Sequence, residues 1–244
     1  MSQTGDHSSR AHAKLAPSSA HRWRNCPGSP EAERHYRDEG NVYAAHGTAA
    51  HELLERCGIN GFNPARFLGE TITVKGRNGG RDEVFTADQE MADSVQEHLT
   101  AVRRDYEPGD ELQWEKRYPL PFLPGTQWGT ADTTLYKRKA RTLKVYDFKY
   151  GQGSVVEATE NSQGLCYAGG AAYDIGLPVD WVELVIVQPR AYHHEGTVRR
   201  WKISAVDLME RLADLGEAGD RASQPDAPRL PGSWCKFCKA AGTC

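Results

Sequence analysis

The stretch TLKVYDFKYG, residues 142–151, constrains the fold more than any other part of the chain. Leu143, Val145, Tyr146 and Phe148 make it a near-continuous apolar run, as a strand buried on both faces requires. Asp147 and Lys149 break that run, and because strand side chains alternate, they share one face. Upstream, WGTADTTLYK reads as a partner strand over 129–136, joined by a charged turn to the strand over 143–149. With a four-residue turn, Arg138 to Arg141, Lys137 faces Thr142 and Asp132 stands directly across from Asp147. Facing residues have Cβ atoms ~4.5–5.5 Å apart, so two carboxylates there repel each other. A divalent cation offsets that repulsion, and Mg²⁺ and Mn²⁺ favour oxygen ligands. Lys149 would then stand ready to orient a water and to stabilise charge growing on a phosphate. The bland alternative is a surface hairpin with an Asp–Lys pair. A one-residue slip in the turn would send one of the two acids to the other face.

The rest of the chain supplies elements to bury this ribbon. A short helix capped by Ser18 or Ser19 is expected within 16–31, and a helix within 41–61 that stops at Gly58. GETITVKG alternates like a strand, and a helix is expected from about Thr86 to Tyr106. DELQWEKRYPL is the next strand, followed by the hairpin, a helix over about 155–175, the apolar strand DWVELVIVQPR, the strand GTVRRWKIS and a final helix. The order around the hairpin, αβββαβ, predicts an α/β domain with a mixed sheet flanked by helices. His51 lies on the first long helix, where a neutral imidazole could complete a metal shell. Gln163 and Tyr167, four apart on the helix after the hairpin, share a face and could hydrogen-bond a phosphate or stack on a base.

The chain has 244 residues and a net charge of −3, so it is not a globally basic coat for nucleic acid. Its basic clusters, KRKAR at 137–141, RRWK at 199–202 and Arg22 with Arg24, read singly as solvated faces or turns. There is no phosphate loop of the Walker type, no apolar run long enough to span a bilayer and no secretory signal. Residues 1–14 are expected to be a disordered tail, residues 15–244 a single domain, and the compartment the cytosol.

Cys235-x-x-Cys238 and Cys244 place three thiols within ten residues, and a tetrahedral site or a cubane needs a fourth. Cys26, in a Pro-Gly turn, is the best candidate, whereas Cys57 and Cys166 fall within or at the end of helices. Such a site would staple 16–30 to 230–244; spacing alone does not separate zinc from iron–sulfur.

The set GTAAHELLE, GTAD, DFK and QGLCY, bracketed by Cys26 and CKFCKAAGTC, resembles the RecB-like nucleases of the PD-(D/E)XK superfamily over roughly 15–244. It is similar in particular to the iron–sulfur branch that includes CRISPR-adaptation exonucleases, AddB-type nuclease domains and phage or prophage proteins. The resemblance implies a restriction-endonuclease-like fold. It makes His51, Asp132 and Asp147 ligands of Mg²⁺ or Mn²⁺, and Lys149 a catalytic partner of the three. Gln163 and Tyr167 become the Q-x-x-x-Y pair that contacts DNA, and Cys26, Cys235, Cys238 and Cys244 the ligands of a [4Fe–4S] cluster. The implied activity is a metal-dependent DNA exonuclease on single strands or ends in phage recombination or DNA processing. Fused helicase motifs are absent, so a helicase or recombinase partner is implied for unwinding. The alternatives are a non-catalytic DNA-end-binding module and a zinc-stapled structural protein.

Overall fold

A computed structural model describes residues 14–36 and 40–244. The expected tail, apart from Lys14, lies outside the described residues. Two short helices come first, α1 (Ala20–Asn25) and α2 (Ser29–Glu33), then α3 (Val42–Asn60). A two-stranded antiparallel ribbon, β1 (Thr71–Val74) with β2 (Glu83–Thr86), leads into α4 (Gln89–Asp105). The main sheet is built from β3 (Glu111–Pro119), β4 (Trp128–Lys137), β5 (Thr142–Phe148), β6 (Trp181–Val187) and β7 (Val198–Ser204). Helix α5 (Ser162–Ile175) connects β5 to β6, and α6 (Ala205–Ser223) follows β7.

Strands pair in sequence order, β3-β4-β5-β6-β7, and only β5–β6 is parallel. That parallel pair needs a crossover, which α5 provides. The expected mixed sheet flanked by helices is therefore the architecture. Alternation along β5 explains its apolar run: Leu143 and Val145 enter a core with Leu165 of α5 and Leu212 of α6, while Tyr146 and Phe148 enter a second core with Leu53 of α3 and Leu99 of α4. Both faces of this strand are dry, so any charge on it must be satisfied locally.

Helix boundaries follow from side-chain caps. Asn41 accepts the Ala44 N–H at 2.8 Å and Asp88 the Met91 N–H at 2.8 Å. Ser204 and Asp207 form a reciprocal capping box at the start of α6. Some expectations fail for identifiable reasons. Helix α3 does not stop at Gly58 but runs to Asn60, ending on Gly61 with φ 68°. Gly58 instead makes room for Trp114, whose indole lies 2.4 Å from where a Cβ would sit. Ser19 precedes α1 but makes no cap bond; its hydroxyl donates back to the Ala16 carbonyl at 3.0 Å. Helix α5 begins at Ser162 rather than near 155, because Asn161 caps it through the Gly164 N–H. The ribbon strand β2 carried no signal strong enough to be expected.

The basic clusters are absorbed by the fold. Lys137 pairs with Glu107, Arg138 with Glu111 and Arg141 with Asp180. Arg199 is 1% exposed, Arg200 pairs with Asp105, and Lys202 lies over the Trp181 ring. No helix among the described residues is long and apolar enough to cross a membrane.

His98 of α4 is fully buried and bonded to the Thr133 hydroxyl at 2.9 Å. Burial, opposed by the Asp132 charge and aided more weakly by His51, pushes its pKa down to about 4. The unfolded chain then takes up a proton near 6.5, before the folded one does. The neutral ring's contribution is therefore intact above that value and lost as pH falls toward about 4. Denaturant unfolding of wild type and His98→Gln should show it: the stability of wild type relative to the variant falls by on the order of 2 kcal/mol between about pH 7 and about pH 4.5. A pH-independent difference would refute the buried neutral state.

Candidate metal site

The β4–β5 ladder runs from Lys137 paired with Thr142 to Thr133 paired with Tyr146. The turn is the four residues Arg138 to Arg141, and one step past the last pair Asp132 comes level with Asp147. There the ladder ends, and the Phe148 N–H donates to the Asp132 carboxylate, Oδ2, at 2.7 Å instead of to a backbone carbonyl. On the other side of β4, Trp114 pairs with Thr133 and Lys116 with Ala131, so Glu115 lies level with Asp132. Glu115 adopts φ 45°, a left-handed conformation that a non-glycine residue rarely takes, and drops out of the ladder. Three acids thus stand abreast on three adjacent strands, at the end where the backbone pairing lapses.

Helix α3 brings His51 over this end. Its Nδ1 lies 3.3 Å from Asp132 Oδ1 and 3.9 Å from Glu115 Oε1. The ligand atoms of His51, Glu115 and Asp132 all lie within 4.8 Å of one another, the one such set among the described residues. Asp147 is outside that tight set and is tied to Lys149, whose Nζ is 2.8 Å from Asp147 Oδ2. Lys149 also donates to Gln163 Oε1 at 2.9 Å, and the Gln163 amide donates to the Tyr167 hydroxyl at 3.1 Å. The structure therefore sets the six expected residues in two series of polar contacts, His51 with Asp132 and Asp147 with Lys149, Gln163 and Tyr167, which stand side by side where Asp132 comes level with Asp147. The Tyr167 ring is 7% exposed and packs where Gly129 carries no side chain.

The electrostatics follow from this crowding. Burial disfavours a charged His51, yet Asp132 and Glu115 raise its pKa well above the ordinary histidine value. Burial also works against the Asp132 carboxylate, but His51 and the Phe148 N–H hold its pKa below the usual range. Asp147 goes the other way: burial, helped by the Asp132 charge, pushes its carboxyl up against the pull of Lys149. Its Oδ2 is buried and accepts no well-angled hydrogen bond despite the nearby ammonium. An imidazole, clustered carboxylates and an under-satisfied buried oxygen suit a hard divalent cation, which these residues could hold.

Sequence reasoning missed Glu115. On its own strand it alternates with Glu111 and Gln113 as a solvated face would. Only the β3–β4 register sets it beside Asp132.

The cysteines lie apart from this centre. Cys26 is buried, Cys235 and Cys238 are half-buried, and Cys244 is exposed. They do not form a set within 4.8 Å, as a single ion held by all four would need. The chain segments that carry them do meet: the Leu230 N–H points at Cys26 Sγ at 3.3 Å, Gly28 N–H bonds the Pro228 carbonyl at 2.9 Å, and Lys239 N–H bonds Glu33 Oε1 at 2.8 Å. Cys57 and Cys166 are buried thiols whose pKa values burial pushes up to about 11 and about 12, which keeps them protonated.

Comparison with known proteins adds the following. The family described as "Protein of unknown function (DUF2800)" matches residues 12–244. Among solved structures, a protein described only as SSO0001 aligns at 16% identity and TM-score 0.35, over 62% of this chain and 70% of that one. An alkaline exonuclease from Laribacter hongkongensis aligns at 11% identity and TM-score 0.28, over 51% of this chain and 65% of its own. A phage-related exonuclease from Haemophilus somnus 129PT aligns at 14% identity and TM-score 0.32, over 87% and 94%. Overlaps this weak carry no argument about the site.

Cation binding is measurable without any substrate. Mn²⁺ at about 100 times its Kd should stabilise the wild type by ~2.7 kcal/mol in thermal unfolding. Asp132→Asn is expected to lose nearly all of that gain and Glu115→Gln at least half of it. A Glu115→Gln protein with the full gain would remove Glu115 from the cation seat.

Proposed function

We propose a metal-dependent nuclease function for this chain, which belongs to the DUF2800 family of proteins of unknown function. The observation that carries the proposal is the alignment of Glu115, Asp132 and Asp147 on three neighbouring strands, with His51 above and Lys149 Nζ 2.8 Å from Asp147. A structural ion pair does not need three crowded acids; a seat for a cation that must also meet a phosphate does. The motif order described above supports the same reading at the level of a RecB-like PD-(D/E)XK nuclease.

A bound Mg²⁺ or Mn²⁺ would supply an acidified water and neutralise charge on a phosphate oxygen. The protein's own contribution is placement. Asp132 is fixed by the Phe148 N–H and His51, so its carboxylate has little freedom to swing. Lys149 is held between Asp147 and Gln163, and an ammonium has three donors, so it can direct another at a water or a phosphate oxygen. Tyr167 holds Gln163 in turn, which makes the Q-x-x-x-Y pair a support for Lys149. The substrate in this reading is DNA, attacked at a single strand or an end, in phage recombination or DNA processing, with a helicase or recombinase as partner. The resemblance also supports a [4Fe–4S] cluster on Cys26, Cys235, Cys238 and Cys244; the contacts between the 26–33 and 228–239 segments, which carry the first three, are compatible with it. Iron and sulfide analysis of anaerobically purified protein decides that assignment against zinc.

End-labelled single-stranded DNA tests the catalytic reading. Degradation should require Mg²⁺ or Mn²⁺ and stop with chelator, and Lys149→Ala should lose on the order of 10²–10³ in rate with its fold intact. DNA binding without cleavage by wild type would instead make the chain a non-catalytic module.

A further inference from the structure

Two cavities meet beside Lys149. One, of about 860 Å³, runs from α3 across His51 and Phe148 to the loop after β5. The other, of about 750 Å³, runs from that loop to α1 and the start of α5. They share Lys149, Ser154, Val156, Lys236 and Phe237 as wall residues, so they are two compartments of one furrow. Lys236 Nζ bonds the Ser154 hydroxyl at 2.9 Å across their junction.

The first compartment has a distinctive lining. Among the described residues, Lys149, Arg190 and Lys236 contribute to it and no aspartate or glutamate does, although Lys149 pairs with Asp147 and Arg190 with Glu90, and Glu157 and Glu160 line the second compartment. Two large rings stand exposed in its wall: Tyr43 is 85% exposed, and Phe237, with Lys236 Nζ 5.2 Å from its ring centre, is 68% exposed. One ring comes from the first turn of α3, the other from the far end of the sequence. Exposed rings beside cations are what successive unpaired bases and their phosphates require. Bases within a duplex are already stacked and cannot use such rings.

We propose that this furrow binds single-stranded DNA, with bases stacking on Tyr43 and Phe237 and the backbone following Lys236 and Arg190 to Lys149. The inference rests on the nuclease reading for what happens at Lys149, but the binding itself does not require cleavage. Tyr43 and Phe237 then determine the preference for unpaired strands, a role neither motif spacing nor the acidic cluster assigns.

The test is fluorescence anisotropy of a labelled oligothymidylate against the full chain in chelator, with a duplex of equal length as comparison. Phe237→Ala and Tyr43→Ala should each weaken single-strand binding about tenfold and leave duplex binding unchanged. Phe237→Trp should restore affinity, which a merely structural role would not. Lys236→Gln should lower the slope of log affinity on log salt by about 0.7. Unchanged single-strand affinity in both alanine variants overturns the proposal, as does equal weakening for duplex. Tighter binding of an oligouridylate overturns its assignment to DNA. Ring-dependent binding in a protein that never cuts DNA sinks the nuclease reading alone; cutting without ring-dependent binding sinks only this one.

Discussion

The site exists because a carboxylate takes the place of a backbone acceptor. Where β4 and β5 should exchange their next hydrogen bond, the Phe148 N–H goes to Asp132 Oδ2 instead. A buried N–H cannot be left without a partner, so Asp132 must stay ionised or at least accepting, and its position is fixed by the sheet itself. Everything else in the cluster answers that fixed charge. His51 leans on its other oxygen, Glu115 leaves its own ladder with φ 45°, and Asp147 becomes the acid that is harder to ionise. Strain of this kind is stored where the surroundings over-determine the backbone, here by two cores packed on either face of β5.

The two cores explain why the acids can be placed so tightly. A strand with one wet face would let water relax the repulsion and the strands would slip. With Leu143 and Val145 committed to one side and Tyr146 and Phe148 to the other, a one-residue slip would reverse every one of them. Register and charge placement are therefore set together by the same apolar side chains. The loop that follows is held just as firmly: Gln188 accepts the Val156 N–H and a buried Arg199 donor, and donates to the Gly151 and Ser154 carbonyls.

Much of this was legible in the sequence, and for local reasons. An apolar run broken by two charges and an assumed four-residue turn brought Asp132 opposite Asp147, and the observed turn has that length. Spacing put Lys149 on the Asp147 face and Gln163 on the Tyr167 face, but it was the resemblance to RecB-like nucleases that implied a shared site with His51. Glu115 could not be placed, since its meaning depends on the register between β3 and β4, whose eight-residue loop, Leu120 to Gln127, is too long for its Pro-Gly turn to fix that register. The start of α5 was misplaced for a similar reason: Val156, apolar and helix-compatible, spends its N–H on Gln188, a residue far along the chain. Gly58 looked like a stop because its neighbour Trp114 is invisible in one dimension.

The meeting of the 26–33 and 228–239 segments has a consequence for how the molecule comes into being. The α3 side of the furrow emerges from the ribosome long before Lys236 and Phe237 do. Gly28 and Glu33 wait for backbone partners near Pro228 and Lys239. A nascent chain can therefore assemble its sheet and its acids well before it has the second wall of its furrow, and the groove closes only after residues 228–239 have been made.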